Sequence, residues 1–572
     1  MPAGGKKKAK KKLSAEERKK RARERAFKRQ ARAIFSKSGF ERVPEVADKE
    51  FEYQDSTSDF DDLFVSENLI VLAEYTLSNE SGTGEHFKNK AHIYKKILDD
   101  PNAFLRFLFE RFAAIKPKIS AKYHSSQLRL RIVYFSEHEV KPAHASLAPE
   151  VATAWRGVMQ YFRSLADTVE RSSRHELFHF LKLDLAEVGK NGIISEIEGE
   201  EPYPGSLLPE AHSEYPDGYK LVSFYVTPAA LLKRAYVLRR DGWRDSEGLY
   251  QRMIDKKKIR SIRAYLKDRR RVFVNNVVVT LPADTRIDDQ KGKDVDPSDI
   301  EKTTPVVIKL RNRPNSIGII DGQHRIFSYF EGVSDDPDIA VFRDRQNMLA
   351  TGIIYPEDAS EEERQKFEAE IFLEINSNQN SAKSDLKQAI LVITKPFSDE
   401  SIGKRVVGRL ARDGALEGLL QKNYFETGVL KTSSMVSFAL SRLVRIEGDE
   451  SLFQHAKEEL KSKLKAKKNV GAVTEYVDFC STELRQFLGA AKAVLGNEKW
   501  AIKTAKSEGI LSVTSVNALI ILFRKVVDTY GLGDFELYRK NLAKLPEFNF
   551  DDFHSSQYNR MAEGMLATVY GK

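Results

Sequence analysis

The chain has 572 residues, of which 41% are hydrophobic and 31% charged, a composition of folded domains and a length that allows two to four of them. It has no apolar run as long as a membrane span and no apolar core of a secretory signal near its start, so we predict a cytoplasmic protein that does not contact a membrane. The single cysteine, Cys480, excludes an intramolecular disulfide and a cysteine-rich zinc site.

The net charge of +10 comes entirely from the N-terminus. Residues 1–33 contain fifteen Lys or Arg and three Glu, a net of +12, which leaves about −2 for the rest of the chain. The spacing of Ser14 and Glu17 matches a capping box, so a disordered lysine-rich start followed by a helix to Ala33 is predicted. This basic tail, residues 1–35, is interpreted either as an arm that binds nucleic-acid phosphates or as a solubilising segment.

Residues 59–76 predict a β-hairpin with an acidic start, a polar turn at residues 66–68 and an apolar strand that leads to Glu74. Further predicted elements complete an α/β domain over residues 40–190. They are a helix at 94–114, a strand at 128–135 and helices within 151–183.

The hairpin resembles the core of PD-(D/E)XK restriction-endonuclease-like domains. In that fold, acidic residues on two neighbouring strands hold a divalent metal, and a lysine positions or activates water. The resemblance implies that Asp61 and Glu74 are catalytic and bind Mg²⁺ or Mn²⁺, with Asp62 as the alternative for the first position.

The lysine that usually follows the glutamate by two residues is replaced here by Thr76. Some relatives of this fold supply the lysine from the following helix, and Lys88 and Lys90 are placed for that catalytic role. Two interpretations stay open: an active metal-dependent nuclease, or a nuclease-shaped domain that only binds DNA.

Residues 191–216 are rich in Gly, Pro, Glu and Ser, which predicts a boundary between domains. Further on, the apolar run 317–320 leads into Asp321 and Gly322 and then into an amphipathic segment, which predicts a strand, a tight turn and a helix start. Such a turn can bring amides and Arg325 to a phosphate. Its polar residues could equally serve only to cap and solvate the turn.

The sequence Asp-Gly-Gln-His-Arg at 321–325 resembles the signature of the DGQHR-domain family, which includes DndB-type and DpdB-type proteins of DNA modification systems. The resemblance covers residues 215–400, including the segments 222–228 with 231–232, 271–279 and 370–379. It implies a ParB-like α+β domain that binds ATP or another nucleoside triphosphate. The implied binding residues are Asp321, Gly322, Gln323, His324, Arg325, Glu374, Asn376 and Gln379. In the similar sulfiredoxin fold a cysteine occupies the position of Gln323, so thiol chemistry is not implied.

The predicted fold class is therefore α/β, with a restriction-endonuclease-like domain, a ParB-like DGQHR domain and a helical region at 401–572. The resemblances imply a DNA-acting protein of a bacterial DNA-modification or anti-phage system, in which nucleotide binding controls the nuclease-like domain. The alternative is a non-catalytic DNA-binding regulator or accessory subunit. DNA and modification enzymes of the same locus are the expected partners, with a homo-oligomer as a further candidate assembly.

Overall fold

A computed structural model describes residues 14–119, 123–183, 188–189, 200–237, 239, 251, 253–313, 315–379, 384–422, 426, 428–504 and 507–571. The protein belongs to the mixed α/β class. It divides into two compact units, the first formed by residues 1–237 and 253–357 and the second by residues 238–252 and 358–572. The first unit contains two large mixed sheets, and the second is helical in its described residues.

Five strands form the first sheet in the order β1-β4-β5-β6-β7, and a small separate hairpin contributes β2 and β3. Strands β1, β4 and β5 are antiparallel, whereas β5, β6 and β7 run parallel. The strands are β1 (Glu41–Arg42), β2 (Phe51–Tyr53), β3 (Ser56–Ser58), β4 (Asp62–Ser66), β5 (Leu69–Thr76), β6 (Arg129–Ser136) and β7 (Ala152–Trp155). Every residue of β5 is buried, because helices cover both faces of the sheet.

Helices pack on this sheet from opposite sides. Phe35 of α1 stacks on Phe64 with ring centroids 4.3 Å apart, while Phe87 of α2 packs against Tyr134 on the other face. The helices are α1 (Ala15–Lys37), α2 (Glu80–Asp99), α3 (Pro101–Arg111), α4 (Pro142–Ala145), α5 (Arg156–Val169) and α6 (Arg174–Phe180).

Several predicted elements of this region differ in detail from the observed ones. The hairpin over 59–76 is confirmed, as is the capping box of Ser14 and Glu17. The helix predicted at 94–114 is instead two helices, because Asp100 caps a new helix that Pro101 begins. Residues 152–155 form a strand where helix was predicted. Helix α1 continues to Lys37, and its second half lies in the core rather than in a tail.

Eight strands form the second sheet in the order β10-β14-β11-β15-β9-β8-β13-β12. They are β8 (Glu200–Leu207), β9 (Lys220–Val226), β10 (Ala235–Tyr236), β11 (Val277–Leu281), β12 (Arg286–Asp288), β13 (Thr304–Arg311), β14 (Ile317–Asp321) and β15 (Met348–Ile354). Strand β8 falls inside the predicted boundary segment 191–216. It tolerates Pro202 and Pro204 because both lie where β8 pairs with β13 alone, before its pairing with β9 begins at Gly205.

Short helices accompany this sheet: α7 (Glu210–Ser213), α8 (Pro228–Arg234), α9 (Lys256–Arg269), α10 (Gln323–Phe327) and α11 (Pro337–Arg345). The segment after α10 also contacts the N-terminal domain. The Glu331 carboxylate lies 3.2 Å from an Arg171 amine and 3.3 Å from an Arg174 amine, and the Val333 N–H donates to Glu170 over 2.7 Å. The two sheets are therefore linked by charge as well as by the chain.

The second unit is helical, as predicted for residues 401–572, but its helices already begin at Glu361. They are α12 (Glu361–Gln379), α13 (Ser384–Thr394), α14 (Asp399–Arg412), α15 (Ser441–Leu443), α16 (Glu458–Ala466), α17 (Val470–Lys499), α18 (Val513–Tyr530), α19 (Phe535–Asn541) and α20 (Tyr558–Tyr570), with a π-helical turn at Met435–Leu440. Cys480 is fully buried in this core. Among the described residues, no helix is both long and apolar enough to cross a membrane.

Candidate functional site

Asp61 and Glu74 lie opposite each other at one end of the first sheet. Asp62 of β4 pairs with Ala73 of β5, so the antiparallel register places Asp61 across from Glu74. Alternation of side chains along the strands directs both residues toward the face that α2 covers. One carboxylate oxygen of Asp61 also accepts a hydrogen bond from the Tyr75 N–H over 2.8 Å, which holds it beside the backbone that carries Glu74.

Helix α2 supplies a lysine to this pair of carboxylates. The Lys90 ammonium lies 3.3 Å from Glu74 and 2.9 Å from the carboxylate of Asp59. His86 lies one turn earlier on the same face, with its Nε2 3.8 Å from Glu74. Lys88 is directed elsewhere: its amine approaches Glu85 at 3.8 Å, and its side chain is 57% exposed.

A second lysine, from α1, reaches the centre from the other side. The Lys28 ammonium lies 2.5 Å from Asp61 and 3.1 Å from Asp48. This residue was not a predicted site residue, because it belongs to the stretch that was interpreted as a basic tail. The sequence nonetheless carries a signal for this position. Phe27 and Ala31 are apolar residues at helical spacing, and both are buried where the helix packs on the sheet.

Asp62 has a different environment. Its side chain is fully buried, and it accepts hydrogen bonds from Arg32 Nε over 2.7 Å and from the Tyr75 hydroxyl over 2.9 Å, with Arg42 as a further partner. Thr76, at the position of the usual lysine, donates its hydroxyl to Ser78. The structure therefore brings Asp61, and not Asp62, together with Glu74.

The carboxylates of this centre are held out of water. Burial raises the pKa of Glu74 to about 8, and the negative charges of Asp61 and Asp59 act in the same direction, against the attraction of Lys90. Burial also raises the pKa of Asp61, although Lys28 opposes it. Burial alone would lower the pKa of Lys90, but the charges of Glu74 and Asp59 outweigh it and raise that pKa. The centre therefore favours positive charge, whether a proton, an ammonium or a metal ion.

The donor set of this centre suits a hard divalent cation. Mg²⁺ is commonly bound through one or two carboxylates with water completing its shell, which Asp61 and Glu74 can provide. Tyr94 adds a fully buried hydroxyl that has no hydrogen-bond partner among the described residues, and the charges of Glu74 and Asp61 raise its pKa further after burial. Across the described part of the chain, no group of three or more His, Cys, Asp and Glu side chains is arranged to hold a metal. Water would therefore have to supply most ligands.

The second predicted site lies where β14 ends. Gly322 has φ +100°, and a Cβ there would lie 2.6 Å from a methyl group of Val277, so this turn requires glycine. Arg325 Nη2 donates to Asp321 over 2.8 Å and to the Asn276 carbonyl over 2.7 Å. His324 Nε2 accepts from the Asp255 N–H over 3.0 Å, which ties the turn to the start of α9.

The structure thus brings together Asp321, Gly322, His324 and Arg325, with Gln323 half-buried beside them. Arg325 is engaged by its own turn, although its Nε is buried without a hydrogen-bond partner in the described residues. The other predicted nucleotide-binding residues lie on α12 of the second unit: Glu374, Asn376 and Gln379. Of these, Asn376 donates to the Phe372 carbonyl of its own helix over 2.8 Å, and the Gln379 side chain lies outside the described residues.

Comparison with known proteins identifies no relative: no family model, no curated protein and no solved structure matches this chain.

Proposed function

We propose that this protein is a metal-dependent DNA nuclease whose reaction centre is formed by Asp61, Glu74 and Lys90. The observation that carries the proposal is the position of a buried carboxylate, Glu74, opposite a part-buried one, Asp61, at a strand end, with a lysine amine 3.3 Å from Glu74. A bound Mg²⁺ or Mn²⁺ would supply Lewis acidity and a water of lowered pKa. Asp61 and Glu74 would hold that ion, and Lys90 would orient the attacking water or neutralise the phosphate.

The strand order supports a restriction-endonuclease-like domain. An antiparallel meander of β1, β4 and β5 is followed by helices and by the parallel strand β6, the arrangement that the resemblance of the hairpin implies. The helix between β5 and β6 carries Lys90, so a lysine from the following helix takes the place that Thr76 leaves.

Helix α1 supports DNA as the substrate. Its first half is exposed and strongly basic, and its second half packs on the sheet. The same helix carries Lys28 to Asp61. Phosphates attracted to the exposed turns would therefore lie along a helix whose middle, at Lys28, contacts the proposed reaction centre.

Cleavage of supercoiled plasmid with Mg²⁺, Mn²⁺ or EDTA tests the proposal. Wild-type protein is expected to nick or linearise the plasmid only with a metal ion. Lys90→Met is expected to slow cleavage by about 10²-fold, the lower end for loss of a group that moves or positions a proton. Lys88→Met, two residues away on the same helix, is the matched control and should retain the wild-type rate. Equal loss in both variants, or cleavage in EDTA, would contradict the assignment.

We further propose that the turn at Asp321–Arg325 binds a nucleoside triphosphate that controls cleavage, in a bacterial DNA-modification or defence system. The support is a glycine turn that opens a helix, with a histidine and an arginine on its first residues. A phosphate would compete with Asp321 for Arg325, so binding would rearrange this pair.

Calorimetric titration with ATP and with CTP tests the nucleotide site. Arg325→Ala is expected to lose binding by about tenfold or more, since a charge-assisted hydrogen bond contributes about 1.5–3 kcal/mol. Arg345→Ala removes an exposed arginine of the same domain and serves as the control. Unchanged affinity in Arg325→Ala, with the fold intact by circular dichroism, would rule this site out.

One observation favours a second candidate, a non-catalytic DNA-binding regulator. Both carboxylates of the centre already contact lysine amines, which could make the pairs permanent structural bridges. A protein that binds duplex DNA but leaves plasmid intact under every metal and nucleotide condition would support this candidate over the nuclease.

A further inference from the structure

Helix α9 and the two residues after it carry a dense positive charge. Residues 256–271 contain nine basic residues and one acidic residue. Only Ile259 and Leu266 are buried, so the helix rests on the domain along a narrow apolar edge. Most of its surface is exposed to solvent.

Part of this charge has a structural role. Arg263 points inward, donates to the Ser328 and Phe330 carbonyls over 3.1 Å each, and lies 3.9 Å above the Phe330 ring. Lys267 and Arg270 pair with the carboxylates of α11 and its cap. These contacts fix the helix in the domain.

Three further cations have no such role. Lys257, Lys258 and Arg260 are exposed, and within the described part of the chain none forms an ion pair with an acidic side chain. Lys256–Lys258 also occupy the first turn, which contains no acidic residue. The helix dipole disfavours cations at that end, so these lysines do not serve helix stability.

The exposed positions form one stripe at helical spacing. Lys257, Arg260 and Ala264 follow one another on the solvent side of α9 with Ser261 beside them, and Asp268, which pairs with Arg269, continues that side toward the C-terminus. The unpaired cations lie in the N-terminal half of this stripe and small residues follow them, so a polyanion can approach that half of the helix closely. Fourteen residues span roughly 21 Å of helix. A helix enters the major groove of B-form DNA, whereas that of A-form RNA is too deep and narrow for side chains to read.

We propose that the exposed face of α9 is a second DNA-binding surface, which enters the major groove of duplex DNA and contacts the phosphates at its edges. The choice of DNA as the polyanion rests on the proposed function. This surface adjoins the Asp321–Arg325 turn, because the Asp255 N–H that begins α9 donates to His324 and Arg263 holds the carbonyls that follow α10. DNA on α9 would therefore lie against the element that contacts the predicted nucleotide site.

Fluorescence anisotropy with a labelled duplex tests this surface in the full chain. A Glu74→Gln background in EDTA separates binding from cleavage. We expect the triple variant Lys257→Gln, Lys258→Gln and Arg260→Gln to bind the duplex at least about tenfold more weakly. Its slope of log K against log salt should fall in magnitude by about 2.7, which is about 0.9 for each lost phosphate contact. The triple variant Lys457→Gln, Lys467→Gln and Lys468→Gln makes the same charge change at exposed positions of the second unit, and it should bind as the parent does.

A second variant avoids the loss of positive charge. Ala264→Glu places a carboxylate at the centre of the stripe and should weaken binding without affecting the buried edge. Any one of three results would overturn the proposal. The first is unchanged DNA affinity in both α9 variants, and the second is an equal loss of affinity in the control triple variant. The third is equal affinity of the parent protein for duplex RNA. Weaker DNA binding by the α9 variants, in a protein that never cleaves plasmid, would refute the nuclease and leave this surface standing.

Discussion

Glu74→Gln is expected to abolish metal-dependent cleavage, with a loss of about 10³-fold or more, on the scale seen when one member of a catalytic set is removed. The amide keeps the shape of the side chain but removes the charge that would hold the metal ion. Glu110→Gln, on the exposed surface of α3, changes the same residue type and should leave the rate unchanged. Full cleavage by Glu74→Gln would remove this residue from the reaction centre.

The same variant should gain stability relative to wild type as the pH rises. Glu74 has a folded-state pKa of about 8 against an ordinary value of 4.5, so the folded chain holds its proton more tightly than the unfolded chain. Its contribution to stability is therefore greatest below about pH 4.5 and falls as pH rises to about 8. Glutamine cannot ionise, so the stability of Glu74→Gln relative to wild type should rise by about 2–4 kcal/mol between pH 5 and pH 8.5. Urea unfolding at the two pH values measures the difference. A pH-independent difference would contradict it.

Asp62→Asn is expected to destabilise the fold by about 3 kcal/mol without a specific effect on cleavage. The substitution leaves Arg32 and Arg42 without their shared buried carboxylate, and breaking a buried ion pair from one side costs about 3–5 kcal/mol. The lower figure applies because both arginine side chains are about one third exposed.

Urea unfolding of Asp62→Asn measures this loss, and Asp99→Asn, at the exposed end of α2, is the control that should change little. The cleavage rate per folded molecule should match wild type, because Asp62 lies across the sheet from Glu74. Normal stability with lost cleavage would instead make Asp62 the metal-binding position.

The hairpin and its acidic residues were predictable because they depend on local signals. A polar turn between two apolar runs sets the register, and the register alone places Asp61 opposite Glu74. Lys90 could also have been preferred to Lys88 from the sequence, because helical spacing places Lys90 on the same face as His86 and Tyr94, which is buried. Lys28 was missed because the density of charge around it concealed an apolar stripe of only a few residues.

Other features depend on contacts far apart in the chain. Strand β7 has only four residues and leads directly into the amphipathic helix α5, so no local pattern separates the two. Strand β8 contains two prolines, and only its place beside β13 explains them. Residues 370–379 lie on a helix of the second unit, where tertiary packing determines their neighbours, and their place beside the turn at Asp321 stays a prediction.

The link between Glu331 and the arginines of the N-terminal domain bears on how the two halves of the first unit can be studied. The loop that leaves the Asp321–Arg325 turn is anchored on one side by Arg263 and on the other by Arg171 and Arg174. A truncated protein that begins at residue 200 keeps the first anchor and loses the second. If such a truncation binds ligand differently, the cause could be the released loop as well as the missing domain. Point substitutions in the intact chain therefore separate the two sites more cleanly.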